Sequence, residues 1–101
     1  MCELNRRLVT RLREMAKQGA TVRMMVGEIC NQLNYPSVDQ CPALVFDRYF
    51  HKSFPIGLGV VRHIEGCAWR GGLYSDEEID TLILPRIAAT RHLWETDPPP
   101  K

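Results

Sequence analysis

The side chains best suited to chemistry in this chain are four cysteines and three histidines. They are Cys2, Cys30, Cys41, Cys67, His51, His63 and His92. The cysteine spacings match no zinc, haem or redox signature, and the chain contains no C-x-x-C motif. Nucleophilic catalysis needs a serine or cysteine held beside a histidine, and the spacing of Cys41 and His51 does not place them on one side of a helix. The sequence therefore predicts no catalytic residue, no metal site and no cofactor.

The state of the cysteines depends on the compartment. In a reducing cytosol all four remain thiols, and those that are buried behave as small apolar groups. In an exported chain, a disulfide between Cys30 and Cys41 would join the end of one predicted helix to the start of the next. The first residues carry mixed charge with no apolar stretch after them, which is unlike a secretory signal. The sequence thus favours thiols and a cytoplasmic location.

Four carboxylates cluster at one point of the chain. They belong to Asp76, Glu77, Glu78 and Asp80. Such a cluster binds divalent metals or exchanges protons, but acidic side chains are also favoured in a first helical turn, by about 0.3–1 kcal/mol each. Ser75 and Glu78 have the spacing of a capping box, in which the two residues satisfy each other's backbone donors. The cluster therefore predicts the start of a helix and not a metal site.

Charge is distributed unevenly along the chain, although the net charge is only +1. Residues 1–24 hold six basic and two acidic side chains, whereas residues 75–101 hold three basic and six acidic ones. On the first predicted helix, Arg6, Arg13 and Lys17 fall opposite the apolar face. This basic face is a candidate contact for an acidic protein surface or for phosphate. The alternative is a solvated face that keeps the chain in solution.

Two further features are candidate partner contacts. Trp69 and Arg70 stand in a glycine-rich loop over residues 66–74, and both residue types are enriched at binding hot spots. The alternative for Trp69 is that it folds back over the core. Met24 points away from the apolar face of the second predicted helix, among polar neighbours.

Apolar residues recur at helical spacing along most of the chain. The pattern predicts five helical segments: 3–18, 22–33, about 40–52, 56–65, and a last helix that starts after Ser75. Residues 56–65 contain two glycines and also fit a short strand, but a lone strand would have no partner. Pro85 predicts a kink or a break in the last helix, because proline lacks a backbone donor. Residues 96–101 are expected to form a flexible proline-rich tail.

The third predicted helix is apolar around most of its circumference. Only Asp47, Arg48, His51 and Lys52 give it a narrow polar face. A helix of this kind is usually contacted by several neighbours. We therefore expect the segment 40–52 to be the centre of the core.

Together these patterns predict an all-α fold, an irregular bundle of about five helices. The bundle would form a single compact domain over residues 1–95. No apolar run approaches the roughly 18 residues needed to cross a bilayer, so no membrane partner is expected. The favoured function is a small non-catalytic module that binds a protein partner, or a second copy of itself through the uneven charge. The alternative is a nucleic-acid-binding helix-turn-helix protein, with residues 41–66 as the motif.

Overall fold

The computed structural model of this chain describes residues 5–68 and 71–95. The α-helices are α1 (Arg6–Lys17), α2 (Val22–Gln32), α3 (Ala43–Ser53), α4 (Leu58–Val61), α5 (Asp76–Ala89) and α6 (Arg91–Trp94). The described residues also include the 3-10 segments Val38–Gln40 and Arg62–Gly66. The described residues form no strand, and their β-structure is limited to an isolated bridge between Cys67 and Tyr74. The predicted all-α class is confirmed.

Local side-chain caps explain where three helices begin. The side chain of Asn5 accepts from the backbone N–H groups of Arg7 and Leu8, at 3.0 and 3.3 Å. Thr21 accepts from the N–H of Met24 at 3.2 Å. Ser75 and Glu78 form the complete capping box that their spacing predicts. Each cap satisfies a donor that the first helical turn leaves without a partner.

Helix α3 lies at the centre of the bundle, as predicted. It packs against α1, α2, α4 and the 3-10 segment Arg62–Gly66. Its aromatic side chains Phe46 and Phe50 are fully buried, as is Phe54 just after its end. The ring of Trp94 meets Phe54 edge to face, with 5.2 Å between the ring centroids. The chain therefore brings its last described helix back to the helix at its centre.

The polar face predicted for α3 is wrong at one position. Asp47 is only 3% exposed, whereas Leu44 is 82% exposed. Asp47 is three positions before Phe50 and so shares its buried face, since residues three apart are neighbours on a helix. Leu44 lies on the same face as Arg48, which is exposed. Position relative to the aromatic core, and not the polarity of the side chain, decides which of these residues is buried.

The last predicted helix does not break at Pro85, one of the two outcomes expected there. Helix α5 continues through Pro85 to Ala89, and the interruption comes at Thr90, between α5 and α6. The Thr90 hydroxyl donates to the carbonyl of Arg86 at 2.8 Å. Proline removes one donor, but Ile83 and Ile87 on either side of it are buried, so packing holds the helix together there. Because of this interruption, the described residues form six α-helices, where the sequence predicts about five.

Residues 56–65, whose sequence fits either a helix or a short strand, are largely helical. Gly57 has a φ of +84° and precedes α4, which passes directly into the 3-10 segment Arg62–Gly66. A positive φ is readily adopted by glycine and disfavoured for other residues.

In the described part of the chain, no helix has the length and apolar character needed to cross a bilayer. The predicted tail, residues 96–101, lies outside the described residues.

Candidate functional site

Four of the six predicted contact residues lie within the described part of the chain. Arg6, Lys17 and Met24 are exposed on α1 and α2, as expected, and Arg13 is partly buried on α1. Trp69 and Arg70 lie outside the described residues. The role of these six residues in binding stays a prediction.

Arg13 has a role within the fold that the sequence did not indicate. Its Nε donates to the carbonyl of Ser53 at 2.9 Å, and a terminal nitrogen lies 3.5 Å from the carbonyl of Lys52. These carbonyls belong to the last turn of α3, whose acceptors have no partner within the helix. Arg13 therefore caps α3 from a neighbouring helix, in addition to contributing to the basic face.

Part of the uneven charge is neutralised inside one molecule. An Arg23 nitrogen lies 3.2 Å from a carboxylate oxygen of Asp76, which joins α2 to α5. Asp80, also on α5, accepts from the backbone N–H of Val22 at 2.9 Å. The basic and acidic segments therefore meet within the chain. Fewer of these charges remain for a contact between two copies than the sequence alone suggests.

An open groove of about 530 Å³ lies between the 3-10 segment Arg62–Gly66 and α5. We call it the His63 groove; its lining residues are His63, Tyr74, Ser75, Glu77, Glu78, Ile79, Thr81 and Leu82. A second opening of about 380 Å³ shares His63 and Tyr74 with it. The two openings therefore form one continuous surface around these two side chains.

The backbone that places Tyr74 in the groove depends on two glycines. The N–H of Tyr74 donates to the carbonyl of Gly66 at 2.9 Å, and the N–H of Gly72 donates to the carbonyl of Cys67 at 2.9 Å. A Cβ on Gly72 would collide with the backbone of Gly66, and a Cβ on Gly66 would lie 2.8 Å from the Tyr74 ring. Close approach of backbone to backbone is a typical reason for glycine.

His63 is held in a defined orientation. Its Nδ1 lies 3.1 Å from the carbonyl oxygens of both Gly59 and Val60. Carbonyl oxygens only accept hydrogen bonds, so Nδ1 carries a proton and donates. In the neutral ring Nε2 is then an acceptor. The ring centroid lies 6.2 Å from that of Tyr74, so the two rings form one wall of the groove.

The wall of the groove that α5 forms contains both acidic and apolar residues. Glu77 and Glu78 are exposed at the start of α5, and one carboxylate oxygen of Glu78 accepts from the N–H of Ser75 at 3.2 Å. Of the apolar residues, Ile79 is buried and Leu82 is partly buried. Leu73, next to the groove in sequence, is 96% exposed. The groove therefore offers apolar contact together with negative charge.

Histidine, cysteine, aspartate and glutamate are the side chains that could hold a metal ion, and a cysteine could also act as a nucleophile. Among the described residues, no group of three or more His, Cys, Asp or Glu side chains converges on one point. Cys30, Cys41 and Cys67 are buried as thiols and are not joined by a disulfide.

The predicted helix-turn-helix corresponds to α3 and α4. Helix α4 has only four residues before it passes into the 3-10 segment. Arg62, the first residue after α4, lies 3.4 Å from a carboxylate oxygen of Glu65. A recognition helix presents several side chains to the major groove, and α4 is short for that task. Nucleic-acid binding stays an untested hypothesis.

Sequence reasoning did not identify His63 and Tyr74 as a site. The two side chains are eleven positions apart and come together only because the loop 66–74 closes on itself. The available signal was the pair Gly66 and Gly72, because two backbone segments can approach this closely only where a residue has no Cβ.

Comparison with protein-family profiles, curated proteins and solved structures found no match for this chain.

Proposed function

We propose that this protein is a non-catalytic interaction module that binds a short segment of a partner protein, rich in basic and aliphatic side chains, in the His63 groove. The observation that supports this most directly is the groove itself. It combines apolar residues, acidic residues and an ordered pair of rings in about 530 Å³. The proposal assigns the function favoured from the sequence to this groove.

The apolar part of the surface favours an aliphatic side chain. Leu73 is 96% exposed and Tyr74 is 40% exposed. Exposed apolar side chains that lie together are typical of binding surfaces, whereas isolated ones are common everywhere. Burying a leucine-sized side chain contributes about 1.5–3 kcal/mol. A partner that covers Leu73 and inserts an aliphatic group over Leu82 would gain this contribution.

The charged part of the surface favours lysine or arginine in the partner. The groove lining includes two carboxylates, from Glu77 and Glu78, beside the single imidazole of His63. Ion pairs at such exposed positions contribute about 0.2–1 kcal/mol each. They therefore select the sign of the partner's charge more than they add to affinity.

A titration with designed peptides tests the proposal. The probe is an acetylated and amidated peptide of alternating leucine and lysine, and its control alternates leucine with glutamate. Two-dimensional NMR of the ¹⁵N-labelled protein should show that the lysine peptide shifts the amide signals of Gly66, Leu73 and Glu77. The glutamate peptide should shift them much less, because it meets Glu77 and Glu78 with like charge.

Matched variants locate the binding surface. Glu77→Lys should weaken binding of the lysine peptide by about fivefold or more, since it reverses one charge of the groove. Glu14→Lys makes the same change on the exposed surface of α1 and should have little effect. Equal loss in both variants, or shifts spread over the whole surface, would contradict the proposal.

A further inference from the structure

A second pocket lies where the C-terminal end of α3 meets α1 and α6. It has a volume of about 440 Å³, and we call it the basic pocket. Its lining residues are Arg13, His51, Lys52, Pro55, His92, Leu93 and Trp94. It shares no lining residue with the His63 groove. It is therefore a separate candidate for ligand binding.

The polar side chains of the basic pocket have one sign of charge. Arginine and lysine are positively charged at neutral pH, and histidine gains a positive charge when it takes up a proton. Among the described residues, none that lines the pocket carries a carboxylate. In the described part of the chain, His51, Lys52 and His92 form no salt bridge. The described lining of this concave site therefore combines basic side chains with no acidic one.

The dipole of α3 accounts for only some of these basic side chains. Basic side chains are favoured in the last turn of a helix, and His51 and Lys52 occupy that turn. Arg13 already binds the carbonyls of Ser53 and Lys52, so the end of α3 has a cation of its own. His92 comes from α6 and adds to a site whose helix terminus is already capped.

The remaining wall of the basic pocket is apolar. Leu93 and Pro55 are exposed there, and the buried Trp94 lies behind them. The Trp94 indole donates to the carbonyl of Ile87 at 3.0 Å, so its donor is already satisfied. This wall therefore offers apolar contact to a ligand whose polar group faces the basic side chains.

We propose that the basic pocket binds a phosphate monoester that carries a small apolar group. A phosphate monoester has close to two negative charges near neutral pH and three oxygens that accept hydrogen bonds. The donors of Lys52, His51 and His92, which line the same pocket, match that number of oxygens better than they match a carboxylate, which has one charge and two oxygens. The apolar group of the ester would contact Leu93 and Pro55. This proposal does not depend on the His63 groove.

The probe for this proposal is phenyl phosphate, followed by two-dimensional NMR of the ¹⁵N-labelled full chain. We expect the amide signals of Lys52, Ser53 and Leu93 to shift in a saturable way. Benzoate keeps the ring with one negative charge, and inorganic phosphate keeps the charge without the ring. Both should bind at least severalfold more weakly. Binding should also weaken at high salt, because the charges are exposed to solvent.

Substitutions at exposed positions keep the fold intact and make the test decisive. Lys52→Gln and His92→Gln should each weaken phenyl phosphate binding by about two- to fivefold, as expected for an exposed charged contact. Arg62→Gln removes a charge outside the pocket and should leave binding unchanged. Arg13 is not a suitable target because it caps α3.

Three outcomes would overturn the proposal. The first is that phenyl phosphate produces no saturable shifts, or shifts spread over the whole surface. The second is that benzoate binds as tightly as phenyl phosphate, which would remove the preference for phosphate. The third is that a duplex oligonucleotide binds far more tightly than phenyl phosphate and depends on Lys52, which would assign the pocket to nucleic acid.

Discussion

At the scale of single residues, the roles that matter most in this protein depend on partners far away in the sequence. Asp80 lies in the acidic cluster that predicts a helix start, yet it accepts from the N–H of Val22, 58 positions earlier. It thus stabilises the start of α2 as well as belonging to α5. Thr21, the local cap of the same helix, binds only three positions ahead.

Replacing Asp80 should therefore cost more stability than replacing its neighbour Asp76. Asp80→Ala removes an acceptor from the N-terminal turn of α2, and we expect a loss of about 1–2 kcal/mol in the free energy of unfolding. Asp76→Ala removes the exposed pair with Arg23 and one favourable charge in the first turn of α5, and should cost about 1 kcal/mol or less. Urea unfolding followed by circular dichroism measures both. A smaller loss for Asp80→Ala than for Asp76→Ala would argue against the bond to Val22.

These residues show how far the sequence could be interpreted. The caps at Thr21 and Ser75 were predictable because both partners lie within one helical turn. The burial of Asp47 and the contact from Arg13 to the end of α3 were not. The burial of Asp47 and the Arg13 contact both depend on how the helices pack against one another. A periodic pattern shows which face of a helix is apolar, but it does not show which helix that face contacts. The His63 groove was missed for the same reason.

At the scale of elements, two glycines have opposite effects on the helices to which they belong. One precedes a helix and the other lies inside one. Gly57 has a φ of +84° at the start of α4. Gly27 lies inside α2, and a Cβ built there would meet nothing within 4 Å. One glycine is needed by the backbone, whereas the other lowers the intrinsic helix propensity of α2 without an evident packing reason.

The same substitution at the two glycines should therefore change stability in opposite directions. Gly57→Ala should destabilise the protein by about 1 kcal/mol or more, because alanine disfavours a positive φ. Gly27→Ala should stabilise it by up to about 1 kcal/mol, the difference in helix propensity. Thermal unfolding of the two variants beside the unmodified chain is sufficient. Destabilisation by Gly27→Ala would show that α2 has a neighbour at this position.

At the scale of the whole molecule, both ends of the described chain are fastened to the region of α3. The backbone N–H of Asn5 donates to the hydroxyl of Tyr49 at 2.9 Å. Trp94 is buried against Phe54, next to the end of α3. The start of α1 and helix α6 therefore both contact the region of the same central helix, α3. The periodicity of the sequence predicted this centre, but not that the last helix would return to it.

Loss of the Trp94 contact should affect the stability of the whole fold. We expect Trp94→Ala to cost about 3–5 kcal/mol, typical of removing a buried aromatic side chain. Trp94→Phe keeps most of the contact, loses the hydrogen bond to Ile87, and should cost less. Leu93→Ala, at the next position but exposed, should change stability by about 0.5 kcal/mol or less. Denaturant midpoints compare the three, and equal losses at positions 93 and 94 would contradict the docking of α6.

The contact between Gly66 and Gly72 has a consequence for redesigning the binding preference of this scaffold. Exposed positions that line the His63 groove, such as Glu77 and Thr81, can be randomised in a combinatorial library. Gly66 and Gly72 cannot be varied in this way. Any side chain at position 72 would collide with the backbone of Gly66. A library that holds both glycines fixed would vary the recognition surface while keeping its support unchanged.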